Sequence, residues 1–304
     1  MSYGVIASRF RRRGSGRATT IDGLPVVNSF GEVFYVDTVN GAAGGDAGSP
    51  DSAVLTVQAA LNKVTKDYPT IFVTGDVREQ VATPAFNYGQ LIGLSPSPRG
   101  VRWRAPASPT ATTPLLQLKQ RGWLVNGFLF IAPTDDAAIE VFRDGSFNAQ
   151  DCVIEDCEFN TGAIAIASNG GAPNVIVRRN RIHDMTSGSV ATAGAIISTS
   201  TAQALPQRWI IENNYLINNV NHIVMPLKIG QIKGNTFSDV GDSITSDIII
   251  DLTSGDHNNV NGNYLPGAYT STLYVAGTAD DWMGNYAAIT ATTAPNGLSV
   301  LPPA

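Results

Sequence analysis

One six-residue pattern constrains this chain more than any other feature. An aliphatic residue, two variable ones and an asparagine are followed by one more variable residue and an apolar one. It reads Val177-Arg-Arg-Asn180-Arg-Ile182, Ile211-Glu-Asn-Asn214-Tyr-Leu216, Ile232-Lys-Gly-Asn235-Thr-Phe237 and Val260-Asn-Gly-Asn263-Tyr-Leu265. Weaker copies extend it both ways: Val125-Asn-Gly-Phe128-Leu-Phe130 and Ile154-Glu-Asp-Cys157-Glu-Phe159 before, Trp282-Met-Gly-Asn285-Tyr-Ala287 after. The key position falls at 128, 157, 180, 214, 235, 263 and 285, in steps of 29, 23, 34, 21, 28 and 22 residues. Each step also holds a second apolar stretch, such as AAIEVF (137–142), AIAIAS (163–168), HIVMPL (222–227) or DIIIDL (247–252).

A unit of two short strands cannot bury an apolar face alone, but stacked units can. Coiling the chain so that equivalent strands pair in parallel gives an all-β parallel β-helix, with unequal steps absorbed by the loops. Hairpins in a β-sandwich are the competing architecture, yet they would not hold one register over seven copies. The recurring asparagine is expected at a corner, because Asn tolerates left-handed backbone. Asn180, Asn214, Asn235, Asn263 and Asn285 are further expected to hydrogen-bond along the coil axis as a ladder. At Phe128 and Cys157 apolar packing would replace it.

Composition agrees with a turn-rich β protein: 30 Gly and only 15% charged residues. No apolar run is long enough to cross a membrane as a helix, and MSYGVIASRFRRRGSGR lacks the apolar core of a secretory signal. Cys152 and Cys157 have no zinc-ligand spacing and are expected as buried reduced thiols. No metal or other cofactor is expected, since His183, His222 and His257 fall at different offsets from the corner asparagine.

Ahead of the repeat, Val33–Val36 and Thr70–Val73 read as strands, with a Gly-rich loop at 40–50. A helix N-capped by Ser52 or Asp51, with Val54, Leu55, Val57, Ala60, Leu61 and Val64 on its apolar side, is expected between them as a lid on the solenoid. GQLIGL (89–94), GVRWRA (100–105) and PLLQLK (114–119) supply strands of the first coils. Residues 1–30 are assigned to an arm, 31–70 to the opening strand, loop and cap helix, 71–290 to the β-helix and 291–304 to a tail.

The run Tyr35-Val36-Asp37, the Gly/Asp-rich loop, Ser49-Pro50-Asp51, VQAALNKV and the strand that follows resemble the opening of pectate-lyase-like right-handed parallel β-helix proteins. The likeness is strongest to those of bacteriophages, including tailspike-type and other virion proteins, and covers residues 31–290. It implies a right-handed coil, in line with the general bias of parallel crossovers, and a homotrimer. It says little about chemistry, since this fold carries enzymes, adhesins and structural parts. The paired-Asp, Asn-Thr-Asp and Gly-His-Gly motifs of the polygalacturonases are absent, as is a recognisable Arg-based lyase motif.

Few residues suggest catalysis. If Ile223 and Ile248 both point inward, His222 and Asp247 stack outward on neighbouring coils with Asp251 on the same face, an arrangement open to acid–base work or to a plain surface ion pair. Arg178, Arg179 and Arg181 read as local charge balance, and Trp103, Trp123, Trp209 and Trp282 as sugar platforms or core.

Charge is unevenly spread. Residues 1–20 hold Arg9, Arg11, Arg12, Arg13, Arg17 and no acid, leaving 15 basic and 25 acidic residues and a net of −10 in the rest. Such an arm suits nucleic acid or docking to an acceptor protein. The acidic body, with no aromatic–basic stripe, argues against nucleic acid. The expected role is therefore a non-enzymatic virion protein, assembled in the host cytoplasm and docked through those arginines. A capsid decoration or head-attached spike is preferred to a tail part, because the short C-terminal stretch offers no receptor-binding domain. The alternatives are a tailspike depolymerase acting on surface polysaccharide and a glycan-binding adhesin.

Overall fold

The computed structural model describes residues 31–95, 99–186, 193–199, 205–238, 248–265 and 273–287, with the short strands Thr20–Ile21, Leu24–Pro25 and Leu298–Val300. Among these residues the chain winds into a parallel β-helix with three strands to a coil. Sheet 1 stacks ten strands, from Val33–Asp37 through Ile176–Arg178 to Asp281–Met283. Sheet 2 also stacks ten, from Asp76–Arg78 through Arg181–Met185 to Leu298–Val300. Sheet 3 stacks eight, from Val81–Ala82 through Ile164–Asn169 to Tyr274–Val275. All pairings in the three sheets are parallel except the last of sheet 2, where Leu298–Val300 runs against Asn285–Ala287.

Three strands, not the expected two, make each coil, because the repeated pattern spans a corner. Its aliphatic residue lies in sheet 1, its final apolar residue in sheet 2, and the asparagine sits between them. Val125, Ile154, Val177, Ile211, Ile232, Val260 and Trp282 stand in register on sheet 1, all buried. The segments at 89–94, 100–105 and 114–119 are the three sides of one coil, pairing onward to sheets 1, 2 and 3 respectively. Inside sheet 2 the rings of Trp103, Phe130 and Phe159 stack coil upon coil at 5.5 and 5.1 Å, a favourable offset arrangement that fills the core.

The corner divides its work between two residues. Left-handed backbone falls on the residue before the key position, asparagine in five coils and Phe128 or Cys157 in the other two: Gly127, Asp156, Arg179, Asn213, Gly234, Gly262 and Gly284 have φ from +53 to +82. This corrects the expectation that the asparagine itself takes that conformation. The asparagine is buried, and its amide is spent on neighbouring coils. Asn214 Nδ2 donates to Asn235 Oδ1 at 3.0 Å and to the Val177 carbonyl at 2.9 Å. Its Oδ1 accepts from Asn180 Nδ2 at 3.1 Å and from the Asn180 backbone N–H at 3.0 Å. The same bonds link Asn235 to Asn263 and Asn263 to Asn285. Above Asn180 the Cys157 N–H donates to Asn180 Oδ1 at 3.0 Å. Cys152 and Cys157 are free and buried, and burial pushes both thiols up to about 12, which leaves them unreactive.

The helix near the start is shorter than expected and begins later. It spans Val57–Leu61 and is capped by Thr56, whose side chain accepts from the Ala59 N–H. Pro50–Ser52 forms a separate 3-10 turn, so neither Asp51 nor Ser52 caps the helix. Glu79, from the first coil, accepts the Val57 and Gln58 N–H groups at 2.8 and 2.9 Å, complementing the positive helix end. Val57, Ala60 and Leu61 join the core. The free edge of Val33–Asp37 is satisfied by Ala47 and Val54, which bond the Tyr35 and Asp37 backbone at 2.9–3.0 Å.

Candidate functional site

The outer side of sheet 2 gathers the most exposed chemistry. Strand alternation turns Phe128, Phe130, Phe159, Ile182, Leu216, Phe237 and Leu265 inward, so the residues between them face out. Along the coil axis one outward column reads Leu129, Glu158, Arg181, Tyr215, Thr236, Tyr264 and Tyr286, each in register with the next. Tyr215, Tyr264 and Tyr286 are each 47% exposed. Coils lie about 4.8 Å apart, so Tyr264 and Tyr286 are neighbours and Tyr215 stands two coils away, across Thr236. None of the three side chains makes a hydrogen bond with a described residue.

An ionic group adjoins the tyrosines. His183 lies beside Ile217 in register and is bonded on both ring nitrogens. Nδ1 meets Asp184 Oδ2 at 2.6 Å and Nε2 meets Glu158 Oε1 at 2.9 Å. Arg181 approaches the same Glu158 oxygen at 3.7 Å. Nearer the chain start, Asp76 pairs with Arg104 at 2.6 Å and Arg78 at 3.1 Å. Burial works against the Asp76 charge, but those guanidinium hydrogen bonds hold its carboxyl below the usual range. At the adjoining corner Arg179 bonds Asp156 and Glu155, each at 2.8 Å, and the Asp156 hydrogen bond raises the guanidinium above its ordinary range.

The structure does not bring the sequence-derived trio together. His222 points inward: it is fully buried, takes Asn219 Nδ2 at 3.1 Å on Nδ1 and meets the Phe237 ring edge-on. Strict alternation fails here, since the consecutive residues Asn221, His222 and Ile223 are all buried; Ile223 also pairs with Ile250 rather than with Ile248. Asp251 faces out beside Val224 and accepts the Thr253 N–H at 2.7 Å, a local turn. Asp247 lies outside the described residues, as do Arg9, Arg11, Arg12, Arg13 and Arg17. His257 is exposed beside Asp256. All four tryptophans are buried, and Trp103, Trp123 and Trp209 donate their indole N–H to backbone carbonyls, so none is a surface platform. Arg178 and Arg179 are engaged with Glu155, and Arg181 with Glu158.

The tyrosines were missed in the sequence although their signal was present. Each is the single variable residue between the asparagine and the final apolar position: Asn214-Tyr215-Leu216, Asn263-Tyr264-Leu265, Asn285-Tyr286-Ala287. A residue between two buried positions of such a corner must face solvent.

No protein-family model matches the chain, and no curated protein matches it in sequence. Solved structures do share its fold. Escherichia coli YbhC superposes with a TM-score of 0.54 at 10% identity, over 90% of this chain and 83% of that one. A GH136 lacto-N-biosidase from Eubacterium ramulus gives 0.50 at 10% identity, over 77% of this chain and 56% of the enzyme. The tailspike protein of E. coli bacteriophage HK620, solved with a pentasaccharide, gives 0.43 at 11% identity, over 74% and 45%. At these identities the first two likenesses are of fold alone, and that fold is the parallel β-helix described above.

Proposed function

We propose that this protein is a non-enzymatic, glycan-binding β-helix whose recognition face is the outer side of sheet 2. The exposed column of Tyr215, Tyr264 and Tyr286 carries this reading. A tyrosine ring offers an apolar face to the C–H face of a sugar, while its hydroxyl remains available to sugar hydroxyls. Rings repeating at the coil spacing favour an extended glycan lying along the axis. The adjoining acids support binding rather than cleavage. Glycoside hydrolysis needs one carboxyl free to give a proton and another free to activate water or attack. Here Glu158 and Asp184 grip opposite sides of one imidazole.

The test is retention of soluble surface polysaccharides by the wild type and by Tyr264→Ala, with new reducing ends counted in the same samples. Retention by the wild type, weakened about tenfold in the variant, and no new ends are expected. Released oligosaccharides would overturn the non-enzymatic part and turn attention to His183, Glu158 and Asp184. Failure to retain any polysaccharide would overturn the glycan reading.

We also infer that the protein serves on a phage particle, docked to a capsid or tail acceptor through Arg9, Arg11, Arg12, Arg13 and Arg17. Support comes from the resemblance over residues 31–290 and from the contrast between a basic arm and a body of net charge −10. Deleting residues 1–20 is expected to leave the coil folded and abolish co-sedimentation with particles; retained attachment would refute it.

A further inference from the structure

Sheet 1 presents two outward columns, and one has an unusual symmetry. Past Tyr35 and Phe72 at its start, its remaining eight positions read, in register along the axis, Ile92, Asn126, Glu155, Arg178, Glu212, Lys233, Asn261 and Met283. By type this is apolar, amide, negative, positive, negative, positive, amide, apolar. Reversed, the order is the same with every charge inverted. The corresponding column of sheet 2 has no such property. All eight residues are at least partly exposed, and Met283 is 63% exposed. The second column runs through Leu124, Val153, Ile176 and Ile210, four partly exposed aliphatic residues in register on consecutive strands, and goes on to the polar Gln231, Asn259 and Asp281.

We propose that this face of sheet 1 is a self-association surface, and that its occupant is a second copy of the chain lying antiparallel. A two-fold axis along the strand direction, between the coils of Arg178 and Glu212, makes the pattern complementary to itself. Arg178 meets the second copy's Glu212, and Glu155 meets its Lys233. Asn126 meets Asn261 and Ile92 meets Met283; in the second column Ile176 meets Ile210, while Val153 and Leu124 lie opposite Gln231 and Asn259. An isologous contact requires this reciprocity. Eight coils make a face about 34 Å long at the ordinary strand spacing. Within one chain Arg178 pairs with Glu155 at 2.6 Å and Lys233 with Glu212 at 3.3 Å, so the column is neutral and no net charge is carried into the contact. Three coils aligned about a common axis, the state the phage resemblance implies, would set each charge beside its own kind and gain nothing from the inverted order. The face lies apart from the tyrosines, so this inference stands whether or not the glycan reading does.

Sedimentation velocity on the purified chain, alone and as Glu155→Lys or Lys233→Glu, tests the proposal. The wild type is expected to dimerise, and each single variant to raise the dissociation constant about tenfold or more. Mixing the two variants is expected to restore the dimer, because the two changes then meet across the contact. Recovery on mixing also excludes misfolding as the cause of dissociation. If either charge variant melts below the wild type, Ile176→Ser, which alters no charge, takes its place and is expected to dissociate. A wild type that stays monomeric, an oligomer indifferent to these changes, or a mixture no more associated than its parts would each overturn the proposal.

Discussion

Asn214 and Tyr215 are neighbours in the chain and stand on opposite sides of the same wall. One belongs to a column inside the coil, the other to a column outside it, and both columns come from one repeated pattern. Inside, every amide group is used: Asn214, Asn235 and Asn263 each accept two hydrogen bonds on Oδ1 and donate two from Nδ2, as Asn214 does with Asn180, Asn235 and Val177, and the end members Asn180 and Asn285 make three each. Outside, the tyrosine rings of Tyr215, Tyr264 and Tyr286 are nearly half exposed and form no hydrogen bond with described residues. Recurrence alone therefore does not separate structure from recognition. What separates them is whether a side chain's polar capacity is consumed within the fold.

The comparison breaks most visibly at Asn235. Replacing it with Leu keeps the volume close but removes the acceptor of the Asn214 N–H and Nδ2, both at 3.0 Å, and the donor to the Ile211 carbonyl at 2.9 Å. Each buried group left without a partner costs about 1–3 kcal/mol. A loss of about 3–5 kcal/mol is expected for Asn235→Leu, seen as a large drop in melting temperature by circular dichroism. An unchanged melting temperature would show that the column does not hold the coils together.

Tyr264→Ala should act the other way round. Its ring lies outside the core, so the melting temperature is expected to stay within the roughly 0.5 kcal/mol scatter of surface substitutions, while polysaccharide retention falls about tenfold. A variant that melts early but still binds would make Tyr264 part of the scaffold and remove the distinction between the two columns.

Much of the architecture was legible because the corner repeats. Val177, Ile211, Ile232 and Val260 were aligned from spacing alone, and they pair in that register on sheet 1. The third strand of each coil was not legible, since a six-residue pattern bent at its middle looks like one strand followed by a turn. The site was harder to see. Alternation from an inward Ile223 puts His222 outside, but Asn221, His222 and Ile223 are all buried; separately, loops of unequal length hide the register of sheet 3, where Ile223 pairs with Ile250 and not with Ile248. His183 gave no signal because its partner Glu158 lies 25 residues earlier, and only the coil brings the two together. Tyr215, Tyr264 and Tyr286 are legible in principle, but the position after the asparagine also holds Arg181 and Thr236, so the repeat marks it only as variable.

The smallest expected effect sharpens the comparison at the corner itself. Gly262 precedes Asn263 and has φ +62, and a Cβ there would meet nothing nearer than the Gly234 nitrogen at 3.9 Å. Steric crowding is thus absent, and Gly262→Ala isolates the cost of left-handed backbone, about 1 kcal/mol. Gly262→Asn should cost less, because Asn adopts this conformation more readily and Asn213 already does so at the equivalent corner, with φ +54. Chemical denaturation of both variants checks the order. If Gly262→Ala proves as costly as Asn235→Leu, backbone conformation and not the amide column would be the main constraint on the corner. If both variants are neutral, the amide hydrogen bonds alone hold it, and the glycines of the repeat are a convenience of the turn.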